Sequence, residues 1–228
     1  MLIKWGSIIV DGSGKLGGHV FSKSRGGNTV RTLARATNPQ TTFQQIIRSR
    51  FTQLSQGWRN LTESQRESWY QAESSFSRTN RFGDVVLLSG KNLYNSLNAQ
   101  RGIIGLSPLS LAPIPKEIPK NIVSRVEINV SGMSMNIIGD FLGSTEFVIV
   151  ASPGLSQGVR NFDGKLRIIG LGESRAGGDR IQSLDTQYSN YVKKFGELDS
   201  NEKIFVGTYS INTAGQRSPV SVIPATFL

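Results

Sequence analysis

Two glycine-punctuated spacings in this chain match patterns that carry chemistry elsewhere. Gly12-Ser13-Gly14-Lys15-Leu16-Gly17 has the G-x-G-x-x-G form. That form cradles a pyrophosphate only where a helix begins and presents its free N–H groups. Gly18-His19-Val20-Phe21 continues instead with strand-like residues, so these glycines read as turn residues. Gly154-Leu155-Ser156-Gln157-Gly158 has the spacing of a nucleophile elbow, which needs a following helix and, in hydrolases of that fold, a later histidine. The segment after it, Val159 to Gly164, is turn-like, and the single histidine, His19, comes far earlier. His19 alone cannot build a multi-histidine metal site, and with no cysteine only carboxylates would remain as further ligands. Glu63 and Glu67 lie one helical turn apart, but beside Arg66 on a polar face, which gives paired acid-base chemistry no support. The expectation is therefore no enzyme: no catalytic residue, no metal site and no cofactor.

Charge is the more informative feature. Between Asp11 and Glu63 there is no acidic residue, yet Lys15, Lys23, Arg25, Arg31, Arg35, Arg48, Arg50 and Arg59 lie there. A surface this one-sided tends to meet an anionic or electronegative partner. Lys23, Arg25, Arg31, Arg35, Arg48, Arg50 and Arg59 are accordingly the candidate partner-binding residues. They could dock on an acidic protein or contact phosphates without reading sequence, since no zinc-finger, RNP or helix-turn-helix pattern accompanies them.

The elements that must position these residues fall into two kinds. Ser7–Val10, Val20-Phe21 and Thr29–Leu33 read as short strands, with Arg25-Gly26-Gly27-Asn28 as a hairpin loop. Three such strands bury little alone, so residues 14–35 are expected to become ordered only by packing on the helices or on another subunit. Asn38-Pro39 is a good helix start, with Thr41 and Gln44 as an alternative. Phe43, Ile46, Ile47, Phe51, Leu54, Trp58 and Leu61 then recur at helical spacing as one apolar stripe. Thr62 with Gln65 starts a second helix that buries Trp69, Ala72 and Phe76, and Ser89 caps a third carrying Leu93, Tyr94 and Leu97.

Four prolines, at 108, 113, 115 and 119, then favour an extended connector. Up to Pro115 the chain holds fourteen basic against five acidic side chains, and beyond it twelve against eleven. Past the prolines the apolar period changes to alternation in about seven short runs: Val126–Val130, Met133–Ile137, Thr145–Ala151, Leu166–Leu171, Ile181–Leu184, Lys203–Ile211 and Val220–Phe227. That pattern predicts a two-sheet sandwich of immunoglobulin or fibronectin type III character, with a different small β-barrel as the alternative. The expected class is α+β. Residues 1–106 form a basic β-arm plus helical hairpin, residues 107–120 a proline-rich linker, and residues 121–228 the β-sandwich. No apolar run is long enough to span a membrane and the amino terminus has no signal-like core.

An ordered set of short motifs adds a resemblance. Gly14-Lys15-Leu16-Gly17-Gly18-His19-Val20-Phe21, Arg25-Gly26-Gly27, Asn38-Pro39-Gln40-Thr41, Trp58-Arg59-Asn60-Leu61-Thr62, Gln65-Arg66, Trp69, Phe82-Gly83-Asp84 and Gly90-Lys91-Asn92-Leu93-Tyr94 resemble the amino-terminal half of an uncharacterised protein family of tailed phages and prophages, with members in crAss-like phages. The resemblance covers about residues 5–115 and implies a virion structural protein without catalytic residues. An auxiliary capsid protein decorating the head is the expected role, and a portal, neck or tail-ring connector the alternative. A nonspecific nucleic-acid-binding protein is the alternative of a different class. The implied partners are the major capsid protein or portal-side ring proteins and other copies of the chain within the particle, with DNA as a second candidate and no membrane.

Overall fold

In a computed structural model, which describes residues 1–6, 11–120, 122–129, 132–138, 146–172, 180–199 and 202–226, Thr41 rather than Asn38 starts the long helix α1 (Thr42–Asn60). Its hydroxyl accepts the Gln44 N–H and its carbonyl the Gln45 N–H, so the first helical bond is made here. Asn38 instead holds a side chain of the helix, its Oδ1 accepting Arg48 Nη2 at 2.8 Å. The fold is mixed α+β and divides into two units, residues 1–99 with 108–115, and residues 100–107 with 116–228.

The first unit begins with a four-stranded antiparallel sheet. Strands β1 (Leu2–Ile3), β2 (Gly14–Leu16), β3 (His19–Ser24) and β4 (Gly27–Thr32) pair in the order β1-β4-β3-β2. Gly17, at φ 55°, turns β2 into β3, and Ser24 pairs with Gly27 across the Arg25-Gly26 hairpin. The G-x-G-x-x-G residues thus lead into and lie on a hairpin. The strand expected at Ser7–Val10 lies outside the described residues.

Helix α2 (Glu63–Gln71) follows after a two-residue connection. Thr62 Oγ1 accepts the Gln65 N–H at 3.3 Å while Gln65 Oε1 accepts the Thr62 N–H at 2.9 Å, a complete capping box. Arg66 reaches back from α2 to the carbonyls of Trp58 and Arg59, placing a cation on the carboxyl end of α1, where Trp58 also accepts the Leu61 N–H. The short strands β5 (Arg78–Thr79) and β6 (Val85–Val86) form a hairpin, and helix α3 (Gly90–Ile103) begins at Ser89, whose Oγ accepts the Asn92 N–H. Leu54, Trp58, Trp69, Leu93, Tyr94 and Leu97 make the buried cluster. Tyr94 is its hinge, with ring centroids 5.4 Å from Trp58 and 5.3 Å, edge-on, from Trp69.

The proline-rich segment, expected as a free connector, is instead held against this cluster over residues 109–112. Asn98 clamps Leu109 by both backbone groups, Trp69 Nε1 donates to the Ser110 carbonyl at 2.9 Å, and the Ala112 N–H donates to Ser68 Oγ. Leu109 and Ala112 pack on the aromatic residues beneath. An extended segment cannot satisfy its own backbone groups, so the helices supply side-chain partners.

The second unit is built on β13 (Glu202–Ile211), which pairs with β14 (Ser221–Thr226) on one side. On the other side it pairs with β9 (Glu146–Ala151) and then the short β10 (Leu155–Ser156). Strand β11 (Arg167–Gly172) adds outside β9. A separate sheet holds β7 (Ile122–Asn129), β8 (Gly132–Ile138) and β12 (Arg180–Ser183) in the order β12-β8-β7. All pairings are antiparallel.

Strand β9 is buried on both faces, which is why its sequence is continuously apolar. Phe147, Ile149 and Ala151 join Val123, Val126, Ile128, Ile204 and Val206 in the main core. Val148 and Val150 face Tyr209 and Ile211 on the other side, where Ile103, Ile104 and Val220 pack. Helix α4 (Asp185–Phe195), absent from the sequence expectations, packs Tyr188, Tyr191, Val192 and Phe195 against the main core. Their helical spacing was the available signal, hidden within a run of strands. Ser156 lies in β10, paired with Glu202, so its glycine-flanked segment is part of a sheet edge.

Candidate docking surface

Helix α1 carries one continuous apolar stripe with two different fates. Its carboxyl half supplies Leu54 and Trp58 to the buried cluster, and Leu61 packs there just beyond the helix end. Its amino half does not: Phe43 is 60 % exposed, Ile46 43 %, Ile47 62 % and Phe51 58 %. The apolar stripe expected from the sequence is therefore covered over half its length only. The cluster is built by residues of α2 and α3, of 9 and 14 residues, and of the stripe on the 19-residue α1 only Leu54, Trp58 and the adjoining Leu61 join it.

The polar side of this projecting half is tied down by its own preceding segment. Gln40, in the left-handed region at φ 50°, gives its carbonyl to Gln45 Nε2, and Asn38 takes Arg48 as described. Residues 31–43 are exposed throughout. An open surface thus runs from the end of β4 to the middle of α1, with aromatic and branched apolar side chains at its centre.

The seven candidate basic residues separate into three groups on this frame. Lys23 pairs with Asp11 at 2.7 Å, and Arg25 reaches Glu73 at 3.5 Å. Glu73 also accepts the Gly90 N–H at 2.6 Å, so Arg25 ties the β3–β4 hairpin to the start of α3. These two cations are largely spoken for within the unit. Arg48 is held by a neutral amide, and among the described residues no carboxylate lies within ion-pair distance of it. Arg31 on β4, Arg35 in the connection, and Arg50 and Arg59 on α1 are exposed, and among the described residues no carboxylate lies within ion-pair distance of any of them.

Arg50 stands apart by position. At 100° per residue it falls seven residues after Phe43 and four before Leu54, on the apolar stripe itself, whereas Arg48 and Arg59 lie off it. Among the described residues no cluster of three or more metal-ligating side chains forms, and His19 is an exposed β3 residue opposite Thr32 and Leu16. No helix among the described residues is long and apolar enough to cross a membrane.

No protein-family model and no curated protein matches the chain. Among solved structures there is a similarity to a family 76 glycoside hydrolase from a bovine Bacteroides thetaiotaomicron strain, at 16 % identity and a TM-score of 0.28, covering 46 % of this chain and 20 % of that one. A TM-score this low carries no argument about fold or function.

Proposed function

We propose that this protein is a non-enzymatic structural component of a tailed-phage virion, an auxiliary capsid protein whose first unit docks on the head and whose second unit is an immunoglobulin-type module. The observation that carries the docking role is the open apolar half of α1 beside arginines that have no counterion among the described residues. Large contiguous apolar patches are rare on free soluble monomers and mark interaction sites. The resemblance to tailed-phage proteins supplies the particle, and its motifs coincide with what builds the first unit: the β2–β3 hairpin, the capping box at Thr62 and the Gly90–Tyr94 turn of α3. For the second unit, the strand orders β12-β8-β7 and β11-β9-β13-β14 support the immunoglobulin-type reading. With the two-residue β10 set aside and D absent, β7, β8, β9, β11, β12, β13 and β14 taken as A, B, C, C′, E, F and G give an A-B-E sheet and a C′-C-F-G sheet.

Weak contacts repeated on a symmetric lattice sum to stable attachment. Quantitative mass spectrometry of purified particles tests the proposal: a high, fixed copy number is expected. A copy number near that of a single ring would move the role to the portal, neck or tail. Absence from particles would refute it. A nucleic-acid role is favoured by one observation, the exposed guanidinium groups of Arg31 and Arg35, which have no ion-pair partner among the described residues. If Arg31→Glu with Arg35→Glu abolishes DNA binding while leaving incorporation unchanged, those residues serve nucleic acid.

A further inference from the structure

The open half of α1 also indicates what kind of surface receives it. Phe43, Ile46, Ile47 and Phe51 present anchors at i, i+3, i+4 and i+8, the pattern of an amphipathic helix laid in a groove. At the areas typical of such side chains, the exposed apolar surface is about 400 Å². Arg50 interrupts that face, and among the described residues no carboxylate lies within ion-pair distance of it, so whatever covers the stripe must offer it an anionic partner or leave a charge buried. Arg48, beside the stripe, adds a second charge of the same sign.

These features discriminate among occupants. Pairing α1 with the α1 of a second copy supplies no carboxylate, because no acidic residue occurs between Asp11 and Glu63. A two-fold pairing centred near Ile47 would also bring the two Arg48 side chains together. A lipid surface suits helices whose cations lie on the polar face, whereas here a cation sits within the apolar one. Phosphates alone would leave the aromatic and branched side chains uncovered.

We infer that residues 42–53 of α1 seat in an apolar groove of a different protein, with carboxylates placed to receive Arg50 and Arg48. This inference deepens the docking role and rests on it, but it does not require the partner to be a virion protein. The test uses the full chain in producing cells with a photo-crosslinking amino acid in place of Ile47, followed by mass-spectrometric identification of what is joined. The expected product is one other protein, linked at an apolar peptide bearing Asp or Glu. Phe43→Ser with Phe51→Ser, and separately Arg50→Glu, should each lower the yield at least about tenfold, since central aromatic and arginine anchors dominate such interfaces. All three residues are solvent-exposed, and an unchanged circular dichroism spectrum verifies the fold. Crosslinks to a second copy, to lipid or to nucleic acid, or no crosslink despite verified incorporation of the probe, would overturn the inference. So would undiminished yield in the Arg50→Glu variant. A joined protein that is absent from particles would leave the inference standing and remove the virion role instead.

Discussion

Replacing Trp69 with Phe tests how the first unit is held together, because this side chain joins the helical cluster to the proline-rich segment. Trp69 is fully buried, packs edge-on against Tyr94, and donates Nε1–H to the Ser110 carbonyl. Phenylalanine keeps an aromatic ring but removes the donor. An unpaired, partly buried carbonyl costs about 1–3 kcal/mol. The smaller ring leaves a void and less buried apolar area, worth roughly 1–2 kcal/mol more. The expected loss is therefore about 2–4 kcal/mol, a large part of the 5–15 kcal/mol typical of a domain. Urea unfolding followed by tryptophan fluorescence reads it selectively, since Trp5, Trp58 and Trp69 all belong to the first unit and Trp58 remains as the reporter. Hydrogen exchange gives the local readout: the amides of Leu109 and Ala112, bonded to Asn98 and Ser68, should lose protection more than amides in β13. A stability loss below about 0.5 kcal/mol, which is within the range of an ordinary surface substitution, together with unchanged exchange at both amides, would refute the argument that the segment is strapped down through Trp69.

Two further outcomes are expected. In Gly90→Ala the added Cβ would lie 3.1 Å from the backbone carbonyl carbon and oxygen of Trp69 and 2.8 Å from Tyr70 Cδ1. The better helix former should therefore destabilise the unit, by about 1–3 kcal/mol in thermal or urea unfolding, and a gain in stability would show that α3 does not approach α2 this closely. In the second unit, burial raises the pKa of the Tyr191 and Tyr209 phenols above the ordinary 10.0, so the folded state retains protons that the unfolded chain loses. Stability is thus fully present below about pH 10 and falls as pH rises through the folded values. Tyr209→Phe should make that fall shallower; tyrosinate absorbance appearing at the ordinary pH for every tyrosine, with the fold intact, would contradict it.

Much of the local structure was readable from residue order because it is decided locally. The capping box at Thr62-Gln65 and the Ser89 start of α3 each depend on groups within a few residues. Short runs of strand-forming residues located most strands beyond the prolines, but Thr145–Ala151, counted among the alternating runs, holds β9, whose residues from Phe147 on are buried on both faces and therefore do not alternate. Helix α4 escaped because four apolar residues at helical spacing, surrounded by strands, give a weak signal unless a core is known to wait for them.

Other features depended on partners distant in sequence. Asn98 and Trp69 turn the proline-rich residues from a connector into part of the helical unit, and composition at residues 108–115 carries no trace of side chains that reach them from elsewhere. The same limit governs the basic residues. Sequence identifies an acid-free stretch, but only folding brings Glu73 to Arg25 while leaving Arg50 without a carboxylate among the described residues. Periodicity established that α1 has an apolar face; which half of that face is covered was decided by the residues that α2 and α3 bring against it. A stripe records what a helix can bury, whereas tertiary structure decides how much of it finds something to be buried against.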